Sequence, residues 1–530
     1  NRWLFICISK MPETKEKAED LRFEDAMEIA GYGKFSMYII FLSGLTVSTS
    51  LMGSVDVSFL LPAAECDLNL TSDDKGLLGS SYYIGAMLTS HLAGFLADTL
   101  GRRHVLVRAL LWNVLTYILG SLAPNIWIFI VFKLISGILL SPAMIATLPF
   151  LGEFVPAKRR AQALLVTSSL STLGILYSSL AGWMTLRGSW AVDLWFVTFT
   201  PWRLFYLVCG LPSLLCGTLF YFTPESPKFL LTRGKKGDTI KILQRVHSVN
   251  SGKLPHTFPV ESVSMDTDEI LPPARGKGIV GALKHIGNQT LPVFKPPYLR
   301  NLSLCIVIAF ISFLCVNGVY LWLPEVTNRI AQYKDTHEGR FYMCEMLKKG
   351  PAANVTSISE EHSGCQISSH TAVFVPSLLV ATVQPFIILI ASAVVTFMDR
   401  RIIISFISIG CSVLAYLITV IPDASAITIL LGSIPALNMV SSTLLSSITV
   451  ELFPTYIRAM AVSVTIICGR LGSMTGSQMF SSLIDSHCLL MFWIMSGLLI
   501  CCSVTPVFFK FKHKNQTKTN TEELPTVNVN

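Results

Sequence analysis

Long apolar runs separated by short polar interruptions recur along nearly the whole chain. About twelve of them reach the roughly 20 residues that a helix needs to cross a hydrocarbon core. They lie near 36–61, 76–97, 104–122, 127–150, 162–185, 202–222, 300–323, 372–397, 402–421, 425–449, 460–484 and 489–509. Porin-like strands would read as alternating segments of roughly 10 residues; these runs are longer and continuously apolar, so the prediction is helices. The longest polar segment, 223–299, holds no spanning run and divides the runs six plus six. The expected plan is an N-terminal segment 1–35, a first bundle 36–222, a linker 223–299, a second bundle 300–509 with an outer loop 324–371, and a tail 510–530. This is an all-α integral membrane protein of twelve transmembrane helices in two six-helix bundles.

Composition agrees. Hydrophobic residues make up 52% and charged residues 14%, where an ordinary soluble domain carries roughly 25% charged residues. The basic clusters GRRH (101–104), AKRR (157–160), DRR (399–401) and KFKHK (510–514) fall on one side if the segments alternate, and excess Lys and Arg mark the cytoplasmic side. Both termini are therefore expected in the cytoplasm, and the net charge of +8 describes a basic surface against anionic lipid headgroups. No basic domain supports nucleic-acid binding. The chain opens NRWLFICISK without a Met, and its apolar run ends too early for a secretory signal; Met11 is a candidate start.

Most of the thirteen cysteines sit inside apolar runs, where a thiol behaves as a small buried hydrophobe. Cys344 and Cys365 share the outer loop, where oxidation is permitted, and are expected to pair. The same loop carries NVT at 354–356, which makes Asn354 a glycosylation acceptor; NLT at 69–71 is a weaker candidate close to the bilayer.

The two halves echo each other. GEFVPAKRRA (152–161) and VELFPTYIRA (450–459) both place Pro three residues and Arg seven residues after a Glu, and Glu153 and Glu451 stand 298 positions apart. ADTLGRR has a shorter counterpart in MDRR, with Asp98 and Asp399 301 positions apart. Duplicated six-helix halves with a substrate site between them are a transporter plan. Pro at a helix start loses no needed donor, and Glu153 and Glu451 are placed to pair with Arg160 and Arg458 or with the Asp98-type loops. Such ion pairs break and re-form as halves rock. In GFLADTLGRR, Gly94 is expected to allow close helix packing and Gly101 a tight turn, beside Asp98, Arg102 and Arg103. Asp399 and Arg401 stand in the second copy.

GFLADTLGRR resembles the signature of the major facilitator superfamily, and PESPKFLLTRGK resembles its sugar-porter and organic-ion branch. LPAAECDLNLT, WRLFYLVCGLPSL followed by PESPKFLL, and GEFVPAKRRAQAL together resemble the synaptic vesicle glycoprotein 2 family, especially its insect members. The resemblance covers nearly all twelve runs. It implies that Asp98 belongs to an inner gate latch. Where that family carries two acids in its first helix, this chain has Ser50 and Gly53; Asp56, three residues on, shares a helix face with Gly53.

Charges within the bilayer are functional candidates by default. Asp56 in the first run and Lys133 in the fourth both fall in the outer halves of their helices and are expected to pair, the bland alternative being that Lys133 snorkels to the headgroups. Arg470 in CGRLG lies nearer the midplane. Tyr82, Tyr177, Asn317, Tyr320, Trp322, Gln384 and Asn438 are candidates to stack on or hydrogen-bond a small organic solute. No ATP-binding Walker sequence, HExxH or zinc-spaced Cys pair occurs, and His247, His256 and His285 are expected to be solvated. The predicted protein is no enzyme and needs no cofactor. It moves a small organic solute, with or without a coupled ion, by alternating access in a plasma or secretory/vesicle membrane. The alternative is a carrier fold that no longer transports and acts as a receptor or vesicle component.

Overall fold

The computed structural model describes residues 21–264 (except 189 and 196), 291–347 and 370–509 (except 396). Twelve membrane helices follow the apolar runs. The first half holds α1 (Lys34–Ala64), α2 (Ser72–Leu100), α3 (Arg102–Ser121), α4 (Ile126–Gly152), α5 (Ala157–Leu170 continuing as Leu173–Thr185) and α6 (Pro201–Cys209 continuing as Leu211–Phe222). The second holds α7 (Leu299–Thr336), α8 (His370–Val394), α9 (Arg400–Val420), α10 (Ala424–Leu452), α11 (Thr455–Leu483) and α12 (Cys488–Val504). Among the described residues, ten of these helices are long and apolar enough to span a bilayer by composition alone, and α2 and α11 are not among them. Their Gly and Ser residues explain the difference, because α2 and α11 pack on each other across the two halves. Ser477 Oγ donates to Gly76 O at 3.0 Å and Ser481 Oγ to Ser72 O at 2.6 Å. Small residues let helices approach closely where lipid offers no hydrophobic drive.

Within the first half, α2 and α4 meet backbone to backbone. A Cβ on Gly85 would lie 2.0 Å from Leu134 O, and one on Gly137 2.1 Å from Tyr82 O. Gly94, expected to serve close packing, does not: a Cβ there would meet nothing within 4 Å, since the last turns of α2 stand clear of neighbours at that face. Gly101 meets its expectation, with φ +97° and the Glu225 carboxylate so near that a Cβ would lie 2.6 Å from Oε2.

Helix α7 runs on to Thr336, beyond the end of its apolar run, and a short helix Met343–Leu347 follows. That helix corrects the expected disulfide: Cys344 bonds Cys488 at the start of α12, with Cα atoms 5.7 Å apart, and not Cys365. Proximity in sequence misled here, because Cys488 stands on the first turn of a membrane helix and reads as part of it. Cys66 is also disulfide-bonded. Cys365, Asn354 and His285 lie outside the described residues.

At the basic end, the amphipathic helix Phe23–Ala30 packs on a linker helix, Lys236–Ser251, and Leu21–Arg22 pairs in parallel with Val263–Ser264. Asn250 ties the two together, donating to Gly31 O at 2.8 Å and accepting from Phe35 N at 2.9 Å. His256 is exposed, whereas His247 is not solvated as expected: both ring nitrogens are enclosed without a partner, and the ring lies 5.5 Å from that of Phe258.

Candidate functional site

Polar clusters stand at the basic end, within the helices and at the opposite end. At the basic end, the repeated motifs resolve into one arrangement used twice. Glu153 at the end of α4 pairs with Arg102 at the start of α3, and Glu451 in α10 pairs with Arg400 at the start of α9 at 3.0 Å. Both partners are 298 positions apart, like the glutamates. The alternative pairing with Arg160 and Arg458 does not occur: Arg160 holds both oxygens of Glu24 at 3.0 Å, and Arg458 Nε donates to Phe453 O at 3.3 Å. Asp98 sits 3.4 Å from Arg102 one turn away and is 66% exposed, so this contact is worth about 0–1 kcal/mol. Asp399 caps α9, accepting from Arg401 N at 3.0 Å and pairing with the Arg401 side chain at 2.5 Å.

Sequence reading missed Glu225. Its carboxylate accepts from Arg103 N at 2.9 Å and lies 2.8 Å from His104 Nδ1, placing negative charge at the positive N-terminus of α3. Arg103 Nε in turn donates to Phe220 O at 3.2 Å. Each ion pair described at this end stays within one half.

Burial raises the Glu153 carboxyl above the ordinary carboxylate range, against the pull of Arg102 and Ser226, while the hydrogen bond from Arg401 holds Asp399 below it. On acidification from neutral pH, Glu153 is therefore protonated first and releases Arg102 while Asp399 keeps Arg401. Because the folded value is raised, the contribution of this carboxyl to stability is fully present below its unfolded pKa and is lost as pH rises through the folded one. Protection of residues 97–105 against hydrogen exchange, corrected for the intrinsic pH dependence of amide exchange, should rise on acidification toward the carboxylate range, and Glu153→Gln should remove that dependence. An unchanged profile in the variant would refute it.

Between the two ends, Lys133 and Asp56 are both fully buried and paired inside the first half. Tyr117 OH donates to Asp56 Oδ2 at 2.9 Å, and the rings of Tyr82, Tyr117 and Tyr206 surround the Lys133 ammonium at 5.5–5.7 Å. Lys133 is thus enclosed and does not snorkel. A Cβ on Gly53 would lie 2.7 Å from Leu140 Cδ1 and 3.2 Å from Tyr82, so Gly53 gives the space of an acid to the cage. Tyr82 OH donates to Ser50 O at 2.8 Å.

Arg470 crosses the seam. From α11 its Nη1 donates to Ala86 O at 2.6 Å, to Ser141 Oγ at 2.9 Å and to Ser90 Oγ, all in the first half. Every acceptor is neutral, and among the described residues no carboxylate pairs with it. In the second half, Tyr320 OH donates to Gln384 Oε1 at 2.7 Å and Asn317 Nδ2 to Ser473 Oγ at 2.8 Å. Asn438 Nδ2 reaches Ser312 O at 3.2 Å, leaving Asn438 Oδ1 and Ser441 Oγ buried without partners. Two candidates point elsewhere. Tyr177 OH is tied to Val208 O at 2.9 Å within the first half, and Trp322, fully buried, donates to Ser477 O at 3.3 Å within the second.

The end opposite the basic clusters is closed by a network that sequence reading did not single out. Lys75 of α2, fully buried, contacts Glu65 at 2.9 Å and Glu325 of α7 at 2.8 Å. Arg329 joins Glu325 at 2.9 Å and Asp485 at 2.6 Å. The Lys75–Glu325 bond ties one half to the other.

With this geometry in view, the family model described as Major Facilitator Superfamily matches residues 37–344, more than half of the chain. The chain belongs to the major facilitator superfamily. It is therefore an integral multi-pass membrane protein of a transporter family. Among curated relatives, human synaptic vesicle glycoprotein 2B is 30% identical over 334 residues, covering 60% of this chain and 49% of that protein. Rat synaptic vesicle glycoprotein 2A is 27% identical over 326 residues, covering 58% and 44%. The chain spans about half the length of the curated relatives it matches. The inward open xylose transporter XylE from E. coli shares the fold, with a TM-score of 0.62 at 17% identity over 91% of this chain and 98% of that one. Its partially occluded inward open form gives 0.61 at 16% identity, covering 90% and 100%.

Proposed function

We propose that this protein carries a small organic solute bearing a negative charge, as an anion or zwitterion, by alternating access between its halves. The observation that carries the reading is Arg470: a permanently charged guanidinium, 9% exposed at the seam, whose described hydrogen bonds all run from one nitrogen to neutral acceptors. A carboxylate offered to its remaining N–H groups would complete a bidentate pair. Asn438 Oδ1 and Ser441 Oγ, buried in the second half, are unpartnered acceptors for a hydroxyl or ammonium of the same solute.

With the basic end assigned to the cytoplasm by the positive-inside rule, the Lys75–Glu325–Arg329–Asp485 network is the outer gate, here shut. The inner clusters, each confined to its own half, then describe an inward-facing state, the state named for the XylE structures above. Asp98 becomes an inner latch that closes across the halves in the outward-facing state. Both termini face the cytoplasm, and a coupled ion, as in a D-xylose–proton symporter of the same fold, would use Asp56 as its carboxylate.

Uptake into proteoliposomes of labelled carboxylates, sugars and organic cations, with and without a pH gradient, tests the reading. Carboxylates are expected to accumulate, and Arg470→Gln to cut uptake by about tenfold or more, the loss of one charge-assisted hydrogen-bonded pair, with Arg470→Lys intermediate. Equal uptake of all three classes, unaffected by Arg470→Gln, would overturn the substrate class. The vesicle-glycoprotein relatives favour a second reading, a carrier fold acting as receptor or vesicle component. Absence of uptake by folded, reconstituted protein would select it.

A further inference from the structure

A cavity of about 1020 Å³ lies between α7, α8 and α10 on the side of the second half away from the basic end, and every residue lining it belongs to that half. It is separate from the seam that holds Arg470. We infer that it is a binding site for a membrane phospholipid, with acyl chain between α8 and α10 and phosphate at Lys334.

The repeat explains why the space exists. In the first half, α2 and α4 touch through Gly85 and Gly137, each backed against a carbonyl oxygen of the other helix. Carried across by the offsets of Asp98 to Asp399 and Glu153 to Glu451, these positions become Phe386 and Pro435. Neither can make a backbone-to-backbone contact, and α8 carries two further prolines, Pro376 and Pro385. The equivalent helix pair is consequently splayed, with Gly432 approaching only a side-chain methyl of Val380.

The lining is graded along the membrane normal. Lys334, Asp335 and Ser425 stand at the rim, and Val380, Ile387 and Leu437 line the interior. From Ala424 to Leu437 the α10 wall runs about 20 Å at 1.5 Å per residue, about two thirds of a core roughly 30 Å thick and more than the depth of one leaflet. Leu379, Val383 and Ile429 are 55%, 47% and 66% exposed at its mouth, so it opens sideways to lipid. The hydroxyls in the lining, Thr327, Thr428 and Ser433, already donate to backbone carbonyls of their own helices, so the interior suits an acyl chain better than a polar solute. The exposed ammonium of Lys334 at headgroup level complements a phosphate, which a sterol lacks.

The test is photolabelling of the full chain in nanodiscs with phosphatidylcholine carrying an acyl-chain diazirine, mapped by peptide. Labelling of residues 375–387 and 429–437 is expected to exceed that of the lipid-facing surfaces of α9 and α12 by about tenfold, equivalent to roughly 1.4 kcal/mol of preference. Ala436→Phe, which fills the cavity, should bring it to the level of α9 and α12. Should that variant fold poorly, Leu379→Trp at the mouth should do the same. Lys334→Ala should lower labelling by phosphatidylcholine and leave labelling by a diazirine sterol unchanged. Uniform labelling over α8, α9, α10 and α12 would overturn the inference, as would preferential labelling of these peptides by the sterol.

Discussion

Lys133→Ala is expected to destabilise the folded protein by about 3–5 kcal/mol, the cost of stranding one member of a buried ion pair. The reason lies in what remains. Asp56 is fully buried, and without the ammonium its carboxylate keeps only the Tyr117 hydroxyl at 2.9 Å among the described side-chain bonds. Three tyrosine rings would also lose the cation they surround. Asp56→Asn leaves the reciprocal problem, an ammonium in a cage without its counter-charge. Combined, the two changes should cost less than their sum, because the second removes the charge that the first stranded. Thermal unfolding of the four proteins in detergent, with transport measured alongside, checks this. Additive costs would show that the two side chains, though in contact, do not depend on each other.

Gly137→Ala and Gly85→Ala are expected to cost at least the 1–3 kcal/mol typical of overpacking. The obstacle is a backbone carbonyl at 2.0–2.1 Å from the new methyl, which no rotamer change relieves; α2 and α4 must separate. Tyr82 would move with α2 and open the cage around Lys133. Gly94→Ala on the same helix is the control. A methyl there meets nothing, and Ala gains up to about 1 kcal/mol in helix propensity over Gly, so its unfolding temperature should hold or rise. If Gly85→Ala and Gly94→Ala behave alike, the close α2–α4 contact does not contribute to stability.

Much of this site was legible because it obeys local or duplicated rules. Asp56 and Lys133 announce themselves as charges inside apolar runs, and their matching depth suggested the pairing. The glutamates announce themselves by repetition, although which arginine each grips depends on how α3 and α9 return to the ends of α4 and α10. Lys75, Glu325 and Arg329 escaped notice for the opposite reason. Lys75 stands in the first turn of α2, and Glu325 and Arg329 just beyond the apolar run of α7, where a sequence reads charges as solvated; only tertiary packing buries Lys75 completely. Tyr177 and Trp322 look like any cavity aromatic until the structure shows the carbonyls to which they donate.

The sequence by itself determined the twelve helices, the division into halves and the repeat that relates them, since hydrophobic length and spacing are properties of the chain alone. It also determined that α2 and α4 can touch in the first half, because Gly85 and Gly137 remove the side chains that would prevent it. Tertiary structure alone decided that Lys75 bonds Glu325 across the halves, that Arg470 reaches across to Ala86 and Ser141, that Cys344 bonds Cys488, and that the second half keeps a lateral cavity. Each of these depends on where helices remote in sequence come to rest, and hydropathy, which measures a segment against lipid, does not register the contacts that segments make with one another.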